Sequence, residues 1–418
     1  YNALANIARL QERPQNAEQL YRQALAIDPE AAGVWTNLGA CLHDAGKYEA
    51  ALQALEHALE LQPVNPEALL NKALVVADMG DDEQAQILLS RALTLDPQLA
   101  EAHIGLAHLL LRRADFSRGW HEYEWRLRTD KWSFSAELGC PRWNGLDLPA
   151  GTLLVIAEQG LGDEIMFASC LHQVAAMVGR CVAVVNPKLV GLFRRSFPDL
   201  QVLARRPRHK QSAYQKADAW VALGSLGVLL RQRREDFPAH QGYLRADPAR
   251  IEYWRARLAA LGPGPKIGIS WRGGTNKTRT GSRSTELPLW LPLLRQEGCR
   301  YVGLQYGDAS DELAALAGNH AIHVPHWQEA IDDYDETAAL VCALDLVISV
   351  QTAVVHLAGA LGRPAWVMVP AVPEWRYLQY GESMPWYPSL RLFRQRDADQ
   401  WQPVVSAVAA ELAQFLRR

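Results

Sequence analysis

The N-terminal part of the chain repeats itself every 34 positions, and this period constrains the fold more than any other feature of the sequence. The positions that recur are Ala17, Ala51 and Ala85, then Ala24, Ala58 and Ala92, and finally Pro29, Pro63 and Pro97. Such a period indicates stacked helix pairs, because each small Ala lets two helices approach and each Pro ends the second helix of a pair. The N-terminal part is therefore predicted to be an α-helical solenoid.

The start of one unit resembles the tetratricopeptide repeat (TPR), with Trp35, Leu38 and Gly39 at positions that this repeat prefers. The resemblance implies a TPR solenoid over residues 1–128, whose concave face is suited to holding an extended peptide. A spacer or a dimerisation surface is the alternative role. Since Tyr1 falls inside the first unit, we expect further repeats upstream of it.

A fourth unit begins near Ala100 and departs from the repeat, because Gly119 stands where a small Ala is expected. Terminal repeats that differ from the others are typical of caps. We therefore expect this unit to cap the solenoid and to pack against the next domain. Its aromatic residues are Phe116, Trp120, Tyr123 and Trp125.

Helical periodicity is lost over residues 129–150, which are predicted to be a linker. Beyond it, short apolar runs alternate with helical segments, and this alternation predicts two Rossmann-like, doubly wound α/β domains. A breaker at Gly262 to Pro265 divides them into residues 151–264 and 265–418, with a cleft between the two halves. The last helix, predicted over Asp399 to Leu416, is expected to pack back and tie the halves together.

The composition argues against several classes of protein. A net charge of -3 gives no reason to expect binding to nucleic acid or to an anionic membrane. The longest apolar stretches, such as Trp220 to Leu230, are too short to span a bilayer. The six cysteines lack metal-site spacing and the sequence opens without a signal peptide, so we expect a cytoplasmic protein without a metal.

A Gly-rich turn with acidic residues, EQGLGDE, directly follows the first predicted strand of the α/β region. Gly160 and Gly162 allow the backbone to approach a ligand there. Asp163 lies at the start of the following helix. A carboxylate at this place either caps the helix or acts as a general base that takes a proton from an acceptor hydroxyl.

A basic loop follows the first predicted strand of the second half. Arg272, Lys277 and Arg283 lie among glycines and hydroxyl residues in the segment from Trp271 to Ser284. Cationic side chains at a strand end suit an anionic ligand, because open α/β sheets bind ligands at this edge. A solvated basic loop is the alternative.

The stretch from Asp345 to Pro370 is predicted to form a strand, a slim helix and a second strand. Gln351, Thr352 and Ala353 lie where the helix begins, and its unpaired N–H groups and positive dipole end favour a diphosphate. His356, one turn further on, contacts either a phosphate or sugar, or the protein core. An ordinary buried helix is the alternative for the whole stretch.

Two charged residues that follow the second of these strands, Glu374 and Arg376, are predicted to line the same rim. Neither G-x-x-x-x-G-K-[ST] nor a complete G-x-G-x-x-G occurs in the sequence. Their absence argues against an ATPase and against a nicotinamide enzyme.

Taken together, AEQGLGDEIMFA, the ISW strand with its basic loop, and ISVQTAVVHLAGALGRPAWVMVP resemble a bacterial family of glycosyltransferases. This family joins TPR repeats to a GT-B domain related to the heptosyltransferases of lipopolysaccharide synthesis, and HEYEWRL, PEWRY and PWYP also match it. The resemblance implies that Asp163 is the catalytic base. It also implies that the loop from Arg272 to Arg283 and the helix start at Thr352 to His356 hold a nucleotide diphosphate or monophosphate, with Gln305 as a further donor contact.

One position departs from this family, since many relatives read SVDT where this chain reads SVQT. Gln351 thus replaces a carboxylate that is associated with sugar recognition. An amide keeps the capacity to hydrogen-bond but cannot act as a base. This departure leaves the donor sugar open and keeps a catalytically silent scaffold among the alternatives.

The resemblance implies an inverting glycosyltransferase that moves a sugar from a nucleotide sugar to a Ser or Thr of a protein held by the repeats, with flagellin as the expected acceptor. Positive side chains and the helix dipole would stabilise the leaving phosphate, so neither a metal nor a cofactor is expected. A lipopolysaccharide or another glycan is the alternative acceptor, for which peptide-holding repeats have no obvious use.

Overall fold

The structure is a computed structural model that describes residues 1–129, 138–205, 217–274, 280–398 and 400–417. The described residues form two compact units, one with the N-terminal helices and the other with two β-sheets. Within these ranges, no helix is long and apolar enough to cross a membrane.

The N-terminal unit is a series of helix pairs, as the 34-residue period predicts. The helices formed by residues 1–129 are α1 (Asn2–Leu10), α2 (Pro14–Ile27), α3 (Ala32–Asp44), α4 (Tyr48–Leu61), α5 (Pro66–Asp78), α6 (Asp82–Leu95), α7 (Ala100–Arg112) and α8 (Phe116–Tyr123). Helices α2, α4 and α6 each end two residues before the recurring Pro. The recurring Ala17, Ala51 and Ala85 are fully buried. The prediction of TPR-like helical repeats is confirmed.

The fourth pair, α7 and α8, is held together by contacts of the aromatic residues of this repeat. A Cβ at Gly119 would lie 2.8 Å from Cγ of Leu111, which explains why the small Ala of the other repeats is absent here. His103 stacks on Trp125 with their ring centres 3.6 Å apart, and the guanidinium of Arg128 lies 3.8 Å from the centre of the same Trp ring. These contacts fix the end of the repeat.

The first sheet of the second unit is parallel, and its described strands stand in the order β3-β2-β1-β4. The strands are β1 (Leu148–Ile156), β2 (Val178–Val185), β3 (Gln201–Ala204) and β4 (Ala219–Ala222). The helices of this region are α9 (Leu161–Phe167), α10 (Leu171–Ala175), α11 (Val190–Ser196), α12 (Leu226–Leu230) and α13 (Pro248–Ala259).

The second sheet is also parallel, with its described strands in the order β6-β5-β7-β8-β9. The strands are β5 (Lys266–Ser270), β6 (Arg300–Gly303), β7 (Leu346–Val350), β8 (Ala365–Val369) and β9 (Leu390–Arg394). The helices are α14 (Thr280–Arg283), α15 (Leu291–Leu294), α16 (Ser310–His320), α17 (Gln328–Asp332), α18 (Tyr334–Ala343), α19 (Ala353–Ala360) and α20 (Gln402–Phe415). TPR repeats followed by two Rossmann-like parallel α/β domains are thus confirmed.

The strand order places the sequence motifs at the two switch points of the sheets. In the first sheet the strand order reverses at β1, because β2 and β3 lie on one side of β1 and β4 lies on the other. In the second sheet it reverses between β5 and β7, because β6 lies on one side of β5 and β7 to β9 lie on the other. Open α/β sheets bind ligands outside the carboxyl ends of strands at such points. The Gly-rich turn follows β1, the basic loop follows β5 and α19 follows β7, so all three motifs lie where this rule expects a ligand.

Two segments differ from the expectation. Part of the predicted linker packs onto the first sheet, where Leu138 and Trp143 are buried and the Trp143 N–H donates to the carbonyl oxygen of Trp220 over 2.7 Å. The final helix α20 buries its apolar stripe in the core of the second sheet, a cluster that also includes Ile267 and Ile348. Helix α20 therefore packs in the core of its own half, whereas the sequence predicts that it ties the two halves together.

Candidate functional site

The turn between β1 and α9 holds Asp163 at the start of a helix. Gln159 has a positive φ of 64°, which turns the chain sharply after the strand, and Gly160 follows as the N-cap of α9. One carboxylate oxygen of Asp163, Oδ2, accepts from the Gly160 N–H over 3.4 Å. Asp163 therefore does cap the helix, and this role leaves its other oxygen, Oδ1, directed to a different partner.

That partner is Arg376, which follows β8 and lies 213 positions away in the sequence. Its Nε–H donates to Oδ1 of Asp163 over 2.7 Å, and its Nη2 contacts the same oxygen. Nη1 of Arg376 also lies 3.3 Å from Glu374, and Glu374 in turn lies 3.6 Å from Nη1 of Arg283. Two carboxylates and two guanidiniums thus alternate along one chain of contacts.

This chain of four charges, which we call the charge chain, is partly shielded from water. Its members are Asp163, Arg376, Glu374 and Arg283, and their side chains are between 13% and 20% exposed. Ion pairs at this depth are screened less than surface pairs, so the four charges interact more strongly than they would in full contact with water. The charge chain also joins the two α/β halves, since Asp163 belongs to the first half and the other three residues to the second.

The helix starts of the two halves pack directly on one another. A Cβ on Gly162 in α9 would lie 2.9 Å from Cδ2 of His356 and 3.6 Å from Cα of Ala353, both in α19. Only a glycine allows this approach without displacing the imidazole. The closeness brings the charge chain beside the first turn of α19.

At the start of α19, one buried polar side chain lacks a hydrogen-bond partner. Gln351 is 2% exposed, and within the described ranges neither its amide oxygen nor its amide nitrogen has a partner. Thr352, the N-cap of α19, makes no side-chain cap and instead pairs its hydroxyl with that of Ser349 over 3.0 Å. Buried amides are normally hydrogen-bonded, so Gln351 stands out among the described residues of this site.

His356 is buried one turn further along and is neutral at physiological pH. Burial, followed by the positive charges of Arg376 and Arg283, lowers the pKa of His356 to about 3. Its Nδ1 lies 3.2 Å from the hydroxyl of Tyr387, a fully buried residue of the PWYP segment. A neutral imidazole in this position can donate or accept one hydrogen bond but adds no charge to the site.

The basic loop contributes Arg283 to the charge chain, whereas its Arg272 has other partners. Arg272 is held by the carboxylate of Glu312 at 2.9 Å and by the carbonyl oxygen of Asp308 at 2.7 Å. Lys277 lies outside the described residues. The start of the loop nevertheless adjoins the candidate site, because a Cβ on Gly273 would lie 2.5 Å from the carbonyl oxygen of Gln351.

Gln305 supports the backbone of this loop. Its Oε1 accepts from the N–H groups of Trp271 and Arg272 over 3.0 and 2.8 Å, and its Nε2 donates to the carbonyl oxygens of Arg272 and Tyr306. Both ends of the amide are thus engaged by the protein. The structure gives Gln305 a supporting position, and its contact with the donor stays a prediction from the resemblance.

Two further residues of the site were not singled out from the sequence. Glu164 is fully buried, accepts from the Asn186 N–H over 2.8 Å, and lies 3.3 Å from Arg205; burial raises its pKa to about 7. The only signal for it is a second acidic residue beside Asp163 in an otherwise apolar helix. Its buried carboxyl helps to fix the helix that presents Asp163.

The second is Arg394, which holds the turn that carries Arg376. Its guanidinium donates to the carbonyl oxygens of Tyr377, Leu378 and Gly381 over 2.6, 3.0 and 2.6 Å. Leu378 has a φ of 57°, a conformation that non-glycine residues rarely adopt, and these bonds hold it there. Burial lowers the pKa of Arg394 to about 10.

Helical TPR-like repeats that precede two Rossmann-like parallel domains define the class of this protein. Residues 1–135 match the family described as the middle TPR-like domain of Cilia and flagella-associated protein 70. Among solved structures, that of Pseudomonas aeruginosa pilF is 27% identical and covers 33% of this chain and 63% of its own, with a TM-score of 0.28.

A relative that matches almost the whole chain is Protein FlbA of Caulobacter vibrioides (strain ATCC 19089 / CIP 103742 / CB 15). It is 34% identical over 440 residues, which cover 99% of this chain and 72% of FlbA. The chain therefore belongs to the FlbA family.

Proposed function

We propose that this protein is an inverting, metal-independent glycosyltransferase of the GT-B type, with Asp163 as the general base. The observation that carries the proposal is the contact between Asp163 of one α/β half and Arg376 of the other, beside the first turn of α19. A site that brings a carboxylate, cationic side chains and a helix N-terminus together suits transfer from an anionic leaving group.

In the proposed reaction, the hydroxyl oxygen of the acceptor attacks the anomeric carbon of the donor sugar and forms the new glycosidic bond. The bond between that carbon and the phosphate oxygen breaks, and its electron pair stays on the departing nucleotide diphosphate. The proton of the hydroxyl passes to Asp163. Attack from the side opposite the phosphate inverts the configuration of the anomeric carbon.

The donor phosphates would be held by Arg376, Arg283 and the N-terminus of α19. Guanidinium groups bind phosphate oxygens in pairs, and a helix start adds backbone N–H donors and a positive dipole end. Gln351 would bind a group that both donates and accepts hydrogen bonds, such as a sugar hydroxyl, because its amide offers both. Thr352, Ala353 and His356 would complete this donor-binding surface.

The TPR repeats indicate that the protein binds another protein. We propose that they hold the acceptor, with flagellin as the first candidate, and that transfer to Ser or Thr takes place in the cytoplasm. The solenoid supports a protein acceptor over a lipopolysaccharide or another glycan, because its repeats are of the kind that bind extended peptides.

The proposal is tested by incubating the purified chain with a panel of nucleotide sugars and flagellin from the same organism, with and without EDTA. The expected result is a discrete rise in the intact mass of flagellin with one donor, unchanged by EDTA. Asp163→Asn should abolish that rise, whereas Asp335→Asn should keep it. Asp335 is a matched control because its bidentate pair with Arg195 also joins the two halves, at 2.7 and 2.8 Å.

A second candidate function is a binding protein that transfers nothing. It is favoured by the state of Asp163, whose two oxygens are both engaged by protein groups, and by an amide at position 351. This candidate predicts that a nucleotide sugar binds but that no acceptor gains mass. A mass rise that survives Asp163→Asn would instead refute the assignment of the base.

A further inference from the structure

Arg376 has two incompatible tasks in the proposed reaction. Its Nε and Nη2 groups engage Oδ1 of Asp163, the atom that is free of the helix cap. An acceptor hydroxyl must come within hydrogen-bond distance of this carboxylate for proton transfer. The same guanidinium is one of the two, with Arg283, that the proposed function assigns to the phosphates of the donor.

We propose that Arg376 makes the reaction ordered: it covers Asp163 until the donor binds, and the donor diphosphate then draws the guanidinium away and frees the base. This inference rests on the proposed function, since it needs a diphosphate at the start of α19. It adds a specific order, in which the donor binds before the acceptor hydroxyl is activated.

The charges of the site support the exchange. In the charge chain, Arg376 contacts two carboxylates, Asp163 and Glu374, and Glu374 also contacts Arg283. A diphosphate carries more negative charge than one carboxylate and offers several oxygens to a planar guanidinium, so it competes well for the same donors. When both bonds from Arg376 to Oδ1 of Asp163 are exchanged for bonds to phosphate, the carboxylate keeps its cap from Gly160 and gains room for a hydroxyl.

The order has a chemical consequence. Without a donor, Asp163 remains in its ion pair and activates neither water nor an acceptor. With a donor bound, the guanidinium lies on the leaving group, where its charge offsets the charge that develops as the bond to the sugar breaks. One side chain thus links donor binding to release of the base.

The test is a double-mutant cycle, in which inorganic pyrophosphate stands in for the donor diphosphate. Isothermal titration calorimetry on the full chain would measure its dissociation constant for wild type, Asp163→Asn, Arg376→Gln and the double variant. Asn keeps a side-chain acceptor for the Gly160 cap and removes the charge that competes for Arg376. Thermal unfolding of each variant confirms that it is folded at the temperature of the titration.

We expect Asp163→Asn to tighten pyrophosphate binding roughly tenfold, because a competing charged hydrogen bond to Arg376 is lost. In the Arg376→Gln background the same change should alter affinity by less than about twofold, since no guanidinium is left to release. Asp335→Asn, which removes a carboxylate from another arginine pair, should leave the affinity of wild type unchanged.

Equal tightening by Asp163→Asn in both backgrounds would overturn the inference, because it would show simple relief of charge repulsion without a role for Arg376. No tightening in either background would overturn it as well, yet would leave the proposed function intact as long as wild type binds pyrophosphate. Failure of wild type to bind pyrophosphate would overturn both the inference and the anion site on which the proposed function rests.

Discussion

Both α/β halves contain a strand followed by a turn and a helix, but the polar group near the start of that helix differs between them. In the first half, the helix α9 carries a charged group, Asp163, whose two oxygens are bound by Gly160 and Arg376. In the second half, the helix α19 is preceded by a neutral group, Gln351, which is buried and lacks hydrogen-bond partners among the described residues. The first half thus presents a carboxylate that protein contacts hold in position. The second presents an amide that has no hydrogen-bond partner among the described residues.

This difference indicates what each half contributes. Under the proposed function the base must be oriented before the reaction; the bond from the Gly160 N–H orients Asp163, while Arg376 covers its other oxygen until the donor binds. A buried amide without a partner costs about 1 to 3 kcal/mol, and a ligand that pairs with it restores this free energy on binding. Under the proposed function, the first half would supply the base and the second half would recognise the donor.

The largest effect is expected at the base itself. Asp163→Asn should lower the initial rate of transfer by about 10²- to 10⁴-fold, because proton removal by a positioned carboxylate contributes a factor of this size. The rate is measured with saturating donor and acceptor, by the increase of modified acceptor with time. A loss of rate smaller than about tenfold would contradict this account of the two halves, because the first half would then not supply the base.

A matched pair of glutamines tests whether the two kinds of amide differ as described. Gln305→Met should lower the free energy of unfolding by about 3 kcal/mol, since it leaves several buried backbone groups unpaired. Gln351→Met, a change of similar size, should leave that free energy equal or raise it by about 1 kcal/mol, because it removes an unsatisfied amide.

Urea unfolding of the two variants without ligand measures this contrast. The same Gln351→Met variant should lose much of the stabilisation that a nucleotide sugar gives to wild type. Equal destabilisation by both substitutions would show that Gln351 is satisfied by the protein and has no need of a ligand.

The pH dependence of stability tests the buried carboxyl behind Asp163. Burial raises the pKa of Glu164 from 4.5 to about 7, so the folded state binds a proton that the unfolded state releases between these values. The free energy of unfolding should therefore fall as pH rises from about 4.5 to 7, by at most about 3 kcal/mol from this group.

Glu164→Gln is the control for this slope, because it keeps the hydrogen-bond acceptor without the titrating proton. Urea titrations at pH 5, 6, 7 and 8 compare the variant with wild type. A wild-type slope that the variant retains in full would assign the pH dependence to other groups.

The smallest effect is expected where the two helices meet. Gly162→Ala should lower the free energy of unfolding by about 1 kcal/mol, as overpacking of the new Cβ against His356 exceeds the gain in helix propensity. Gly318 in α16 is the control, because a new Cβ there meets no atom within 4 Å, and Gly318→Ala should raise the free energy of unfolding by up to about 1 kcal/mol through helix propensity. Similar values for both variants in thermal unfolding would contradict the close approach of α9 and α19.

Features that depend on local sequence could be predicted. The repeating Ala and Pro positions give the helix pairs, because packing and helix ends are set within one repeat. The alternation of apolar runs and helical segments gives the parallel sheets. Even Asp163 as a helix cap follows from its place directly after a Gly-rich turn.

Features that depend on contacts between distant segments could not be predicted from the sequence. The pairing of Asp163 with Arg376 spans 213 positions, and nothing in either motif specifies the other as its partner. Gln305 and Gln351 are both amides at strand ends, yet one is fully bonded and the other is not, and only the packed structure separates them. The burial of Glu164 and the hydrogen bonds from Arg394 to the turn that carries Arg376 depend on tertiary packing in the same way.

The most direct test of the account is thermal unfolding of the wild-type chain against a panel of nucleotides and nucleotide sugars, with EDTA present throughout. The account predicts that one nucleotide class stabilises the protein, by roughly 2.7 kcal/mol at a hundred times its dissociation constant, and that Gln351→Met weakens the response. A panel in which no compound shifts the unfolding transition would contradict the central claim that the second α/β half binds a nucleotide sugar.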